Sequence, residues 1–467
     1  MMGALVLKET RALLRDGRLW MLGGALFLLF VAMLATAQSG LRQAGQERRE
    51  VEAASRSQWD HQGEKNPHRG AHFGLYAFKP ASPLAGVEPG IDAQAGQALW
   101  LEPHRRNMAK FAPAADAPPS IGLGRLTPAF VLLTLVPLLI AVLGHGTVAQ
   151  ERESGTLRLL QACGARARPL VLGKWLGLCV GVGLVLMPAL LIGAWLVVDR
   201  RGLPQALVLG AALIAYYAVW AALTVLVSMH SRSARAALLV LIAAWVTTIF
   251  VVPRLGAALV ERSTPLPTGQ AFWDAIARDI EQGLPGDGTA SERLRAHEAA
   301  LLAEHGVTRL EDLPFGANAK RRIFRDAYAA RVHALHFSAL WEAQLRQQVL
   351  LRGITWPSPM APMRAIGSAL AGTDLAHRRH FEDAAEQYRQ RFTTLMDEWD
   401  LRATRGVTSF DSKYAGDAQW QAMPVWTYEP PGIGFALRSA WPDFAALALW
   451  LVAALTALAL TARRVAP

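Results

Sequence analysis

Pro128-Ala-Phe-Val-Leu-Leu-Thr-Leu-Val-Pro-Leu-Leu-Ile-Ala-Val-Leu-Gly-His-Gly-Thr-Val148 contains no Asp, Glu, Lys or Arg. A helix needs roughly 20 apolar residues to cross the ~30 Å hydrocarbon core of a bilayer, and this run supplies them. Working outward, residues 19–37, 171–198, 205–228, 236–253 and 443–461 read the same way, which predicts six spans. The 467-residue chain is 52% hydrophobic and 18% charged, a balance expected of several spans joined by sizeable polar parts rather than of a soluble protein. The expected fold class is mainly α: a polytopic membrane protein with six transmembrane helices, cytoplasmic N and C termini, and a mostly helical extracytoplasmic domain built from two inserts.

Charge sets the expected orientation. Lys8, Arg11, Arg15 and Arg18 precede the first span, and Arg152, Arg158, Arg166, Arg168 and Lys174 lie between the second and third. Arg232 and Arg235 separate the fourth and fifth, and Arg463 and Arg464 follow the sixth. All four clusters fall on one side if both termini are cytoplasmic; only Arg200 and Arg201 oppose this, so the positive-inside rule favours that arrangement. Much of the excess behind the net charge of +11 sits beside the apolar segments, and no basic patch with interleaved aromatics suggests a nucleic-acid partner. The first span, with a basic start and Ala35-Thr36-Ala37, also resembles a signal peptide, but its apolar run exceeds the usual signal-peptide core and it reads as a retained span. Two cysteines, Cys163 and Cys179, sit in or beside the cytoplasmic and membrane parts and provide no disulfide framework for an outer domain.

The expected organisation is therefore an N-terminal interfacial segment and first span (1–37), a first extracytoplasmic insert (38–127), spans two to five (128–253) with a cytoplasmic connection at 149–174, a second insert (254–442), and the last span with a cytoplasmic tail (443–467). The first insert opens with a charged helical stretch, Leu41–Arg56, and then carries many turn-formers, among them Pro80, Pro83, Pro89-Gly90, Pro113 and Pro118-Pro119. In the second, apolar residues at three- and four-residue spacing predict helices at Ala271–Gln282, Ala290–His305, Ala319–Leu351 and Asp374–Arg402. Breaks are expected at Leu284–Gly288 and Trp356–Pro362. Together the inserts are long enough to build one domain.

The connection after the second span reads Glu151-Arg-Glu-Ser-Gly-Thr-Leu-Arg-Leu-Leu160, followed by Arg166, Arg168, Pro169 and Gly173-Lys174. Gly155 and Gly164 bracket a predicted short helix, Thr156–Cys163, which Pro169 keeps from continuing. Leu157 and Leu160 fall on one side of it and Arg158 and Gln161 on another. Such a piece can seat apolar knobs in a partner's groove, and Glu151 and Glu153 can pair with a partner's basic residues. On residues alone the simpler reading is a solvated loop obeying positive-inside.

The pattern E-x-E-x-G-T-L-x-L-L, then a proline and Gly-Lys, closely resembles the coupling segment of ABC-2-type export permeases. Six spans, a cytoplasmic connection after the second, and outward inserts after the first and fifth match that family's plan. Tyr76-Ala-Phe-Lys-Pro-Ala-Ser-Pro-Leu84, Leu99-Trp-Leu-Glu-Pro-His-Arg-Arg-Asn107, and Ser358-Pro359 with Ala371-Gly-Thr-Asp-Leu375, His377 and Phe381 are similar to a bacterial subfamily with enlarged outer domains. The resemblance implies a permease subunit in the bacterial inner membrane that couples ATP hydrolysis by separate cytoplasmic ATPase subunits to export of a substrate. It also implies a second permease subunit, identical or related. Glu151, Arg152, Glu153, Gly155, Thr156, Leu157, Leu160 and Lys174 would carry the coupling. ATP and Mg would belong to the partner: this chain has no G-x-x-x-x-G-K-[ST] loop, since Gly173-Lys174 is followed by Trp175 and position 168 is Arg. The chain is thus expected to be a non-catalytic subunit. The alternative is a mechanotransmission or assembly subunit that acts on a periplasmic protein and transports nothing.

Spans two to six have essentially no ionised residue near their centres, which argues against an ion-coupled carrier. Gly173, Gly177 and Gly181 form a smooth strip on the third span for close helix packing, either within the chain or with a second permease. Tyr216, Tyr217, Trp220, Trp245, Thr247 and Thr248 read either as lining a path for an amphipathic cargo or as ordinary interhelical packing and hydrogen bonding. His377 and His380, and His61, His68, His72 and His104, come without a further Cys or carboxylate at motif spacing, so no metal site is expected. Glu382, Asp383 and Glu386, near Arg378, Arg379 and Arg389, read as surface ion pairs on a helix.

Overall fold

The computed structural model describes residues 2–109, 126–197, 202–409 and 411–462. The chain is a mainly α polytopic membrane protein. Six helices are long and apolar enough to cross a bilayer: α2 (Gly17–Asp60), α4 (Pro128–Glu153, interrupted by a turn at 145–148), α6 (Ala167–Val197), α7 (Leu203–His230), α8 (Ala234–Ser263) and α16 (Trp441–Thr461). α7 is central and packs on α4, α6, α8 and α16. The bundle core includes Leu34, Val136, Ile140, Leu178, Val219 and Leu458. The outer surface is apolar as well: Trp195 is 82% exposed, Leu239 70% and Leu28 67%. A surface of this kind is unfavourable in water and ordinary in lipid.

An amphipathic helix, α1 (Met2–Arg15), precedes the first span, and Asp16 caps the next helix by accepting from the Arg18 amide at 2.9 Å. α2 does not end where the apolar run ends. It runs for 44 residues to Asp60, through Ser39-Gly40, so the separate helix expected at Leu41–Arg56 is a continuation of the helix that forms the first span. The charged residues expected on one side do gather at one end of the bundle. Lys8, Glu151 and Lys174 meet there, and Arg152 reaches the Ser231 carbonyl beside Arg232 and Arg235. Arg200, Arg201, Arg463, Arg464, Pro113 and Pro118-Pro119 lie outside the described residues.

At the other end the two inserts build one body. The first supplies α3 (Pro67–Ala71) and a two-stranded antiparallel sheet, β1 (Leu75–Phe78) and β2 (Ala98–Leu101), in the register Leu75↔Leu101. The second supplies α9 (Gly269–Gln282), α10 (Ala290–His305), α11 (Ala317–Ile354), α12 (Met360–Leu370), α13 (Leu375–Ala403), α14 (Asp417–Gln421) and α15 (Ile433–Ser439). Four of these match the expected helices to within three residues at each end. α12 has no counterpart among the expected helices; it buries Met363, Ile366 and Leu370 in the bundle core and packs on α7 and α16. The inserts share their cores. Trp59 of the first meets Phe392 and Trp420 of the second edge-on at 5.2 and 6.0 Å, and its indole donates to the Trp420 carbonyl at 3.0 Å. Ala77, Leu99 and Leu101 of the sheet close on Phe381 and Ala385 of α13. Arg352 at the end of α11 pairs with buried Asp443 at 2.6 Å and ties the body to the start of the last span.

Candidate functional site

Residues 149–174 sit where four spans end. Gly155 (φ 72°) and Gly164 (φ 83°) both adopt the left-handed region, so they break the chain on either side of α5 (Thr156–Ala162) as the sequence predicts. Ser228 of α7 accepts from the Val148 and Ala149 amides, both at 3.0 Å, and anchors the turn that enters the connection. The Arg152 guanidinium donates to the Met229 and Ser231 carbonyls, each at 2.8 Å, at the carbonyl-rich end of α7. Glu153 accepts from the Ala234 amide at 3.2 Å at the amide-rich start of α8. Lys174, 1% exposed, bonds Glu151 at 2.7 Å and Glu9 of α1 at 3.3 Å, and Lys8 lies 3.6 Å from Glu151. One short segment therefore holds α1 and the ends of α4, α6, α7 and α8.

This geometry gives residues expected to meet a partner roles within the chain. Glu151 is engaged by Lys174 within the chain, and Glu153, although exposed, caps α8; both carboxylates have structural work before any partner arrives. Leu157 is fully buried and Leu160 half-buried against the bundle core, so the apolar side of α5 faces its own chain. The group left outside is Leu159, 63% exposed, beside exposed Arg158, Ala162 and Cys163. Thr156 bonds the Glu151 carbonyl at 3.2 Å, bridging the break at Gly155.

The glycine strip is occupied within the chain. A Cβ added at Gly173 would lie 2.9 Å from Leu5, at Gly177 2.5 Å from Glu9, and at Gly181 3.0 Å from Leu13. Four-residue steps on α6 meet four-residue steps on α1, in parallel. Of the two readings, packing within the chain is the one observed, and the partner is the amphipathic segment before the first span.

Three of the aromatic residues considered as path-lining, Tyr216, Tyr217 and Trp245, bond to backbone carbonyls. Val131–Leu135 forms a wide π turn and Pro137 lacks an amide hydrogen, which frees carbonyls inside the membrane. Tyr217 donates to Leu132, Tyr216 to Leu133 and Trp245 to Thr134, at 3.1, 2.8 and 2.9 Å. Unsatisfied backbone groups are costly in lipid, and these three side chains satisfy them. Trp220 is 1% exposed, and Thr248 bonds the Ala244 carbonyl of its own helix at 2.8 Å. A second π turn lies at Thr247–Val251, just before Pro253.

In the two-insert body, Asp383 pairs at the surface as expected, with Arg106 and Arg379 at 2.9 and 3.4 Å, whereas the Glu382 pair with Arg378, at 2.6 Å, is largely buried. The Glu386–Arg389 pair, bidentate at 2.7 Å, is buried rather than on the surface. Burial pushes the Glu386 carboxyl up, yet Arg389 and Gln390 hold it below the ordinary carboxylate range. His377 bonds Asp374, and His380 bonds the Tyr428 hydroxyl at 3.0 Å. His61 caps the end of α2. The three remaining histidines contradict the expectation that no metal ligands converge: side-chain nitrogens of His68, His72 and His104 all lie within 4.8 Å of one another. The signal was a pair four residues apart, but the third member is more than thirty residues away and is delivered by the sheet.

No curated protein and no solved structure matches this chain. The family model that matches, described as a domain of unknown function (DUF3526), covers residues 270–429, about a third of the chain and wholly within the second insert.

Proposed function

We propose that this chain is the membrane subunit of an ABC-2-type exporter, with both termini and the 149–174 connection in the cytoplasm and the two-insert body outside. It would sit in the bacterial inner membrane. Separate ATPase subunits, holding ATP and Mg, would press on the connection, and a second permease subunit would complete the conduit. One observation carries the reading: an exposed large apolar residue, Leu159, beside Arg158, rides on a segment bonded to the ends of several spans at once. The lack of ionised residues at the span centres accords with energy arriving from outside the bilayer. A second reading, force transmission to a periplasmic partner without transport, is favoured by the unbroken helix from the first span into the outer body.

A photo-crosslinking residue at Leu159 should capture, in cells, a polypeptide with a phosphate-binding loop, whereas one at lipid-facing Leu239 should not. Leu159→Glu should lower export while leaving stability within about 0.5 kcal/mol of the parent, as for a surface change. Failure to recover any nucleotide-binding chain, or labelling of Cys163 by a membrane-impermeant reagent from outside, refutes the reading. An ATPase-driven conformational change without any cargo flux in vesicles selects the second one.

A further inference from the structure

His68 and His72 are four residues apart, at the start and just past the end of α3, and so lie on the same side of the turn. Asn66 caps that helix, accepting from the His68 amide at 2.9 Å, and is itself held by the Tyr414 hydroxyl at 3.0 Å. His104 arrives from the loop after β2. It is the only non-glycine residue among those described with a left-handed backbone, at φ 66°. A side chain held in that conformation is unusual, and such strain clusters at functional positions.

The imidazoles point the same ring atom inward. His68 Nε2 lies 3.2 Å from His72 Nε2 and 3.2 Å from His104 Nε2. Two nitrogens bound to one tetrahedral zinc at ~2.05 Å would be about 3.3 Å apart, so the observed spacing matches a shared ion. The opposite ring nitrogens face carboxylates of the second insert. His104 Nδ1 is 2.6 Å from Asp326 of α11, and His68 Nδ1 is 3.7 Å from Asp397 of α13. A carboxylate accepting from Nδ1–H keeps the proton there and leaves the Nε2 lone pair free, as a metal ligand requires. His68 is buried, His104 half-buried and His72 exposed, so one side opens to solvent.

We propose that His68, His72 and His104 bind one divalent transition-metal ion of the zinc class, with Asp326 as the outer partner of His104 and the fourth position open to water. Three neutral imidazoles suit a borderline ion and would not retain magnesium or calcium, which take oxygen ligands. Through the Asp326–His104 bond the ion would link the first insert to α11 of the second. The site stands apart from the 149–174 connection and does not depend on the transport reading.

The test uses the full-length protein in detergent, stripped of metal and titrated calorimetrically with Zn²⁺ alone. One ion per chain is expected, and Co²⁺ should give the intense visible bands of a tetrahedral site. His72→Ala, at an exposed position, should weaken binding at least about 100-fold, and Asp326→Asn about 10–100-fold, as for an outer partner. His104→Ala is a second ligand variant. No stoichiometric binding by the parent, or an affinity unchanged by both His72→Ala and His104→Ala, overturns the site. An affinity unchanged by Asp326→Asn overturns the assignment of the outer partner.

Discussion

Replacing Lys174 by Met tests whether the charge cluster beneath the connection holds the bundle together. The ammonium is almost fully enclosed and answers two carboxylates, Glu151 at 2.7 Å and Glu9 at 3.3 Å, whose side chains keep 19% and 14% of their exposure. Removing one member of a buried pair leaves the other uncompensated, at a cost of about 3–5 kcal/mol. Partial wetting of both carboxylates places the expected loss at the lower end, about 3 kcal/mol. Glu151→Gln should cost less, about 1.5–2 kcal/mol, because Lys174 keeps Glu9 and can still donate to the amide oxygen. The double variant should cost less than the sum of the singles, since the second change removes a charge the first had stranded. Thermal unfolding of the purified variants, all in one detergent at one scan rate, ranks them. A Lys174→Met protein as stable as the parent, or more stable than Glu151→Gln, refutes this account of the cluster.

Gly177→Ala should destabilise by about 1–3 kcal/mol through overpacking against Glu9, whereas Gly183→Ala, whose added Cβ would meet nothing within 4 Å, should be neutral or slightly stabilising; thermal unfolding of the pair decides. The Glu386 carboxyl, held below its ordinary value of 4.5, contributes stability that is present above that pH and fades as pH falls through its lower folded value. The difference in unfolding temperature between the parent and Glu386→Gln should therefore be largest near neutrality and close below about pH 4; a gap that widens in acid would contradict this sign.

The spans were legible because only a long uncharged run can satisfy its backbone inside lipid, and the helices of the second insert because their apolar residues keep a helical period. The bracket at Gly155 and Gly164 was legible for a similar local reason. The facing of α5 was not. A leucine pair three residues apart defines a side, but only the neighbours decide whether that side meets its own chain or another, and here Leu157 is claimed by the bundle. The passage of α2 through Ser39-Gly40 was hidden because a locally weak step is carried by packing at both ends. The histidine cluster was hidden because its third member comes from a strand end distant in sequence, and the π turn at Val131–Leu135 because hydropathy carries no record of hydrogen-bond register.

The 44-residue α2 is about 66 Å long at 1.5 Å per residue, and its far end is wedged by Trp59 between Phe392 and Trp420. A rod of that length is a lever. At that length a tilt of only 5° carries the tip through roughly 6 Å, more than the pitch of a helical turn. A rearrangement at Glu9 and Lys174 too small to open the bundle would thus be magnified into a visible swing of the aromatic wedge, so a distance probe near Trp59 should register inner-end events before any probe within the spans does.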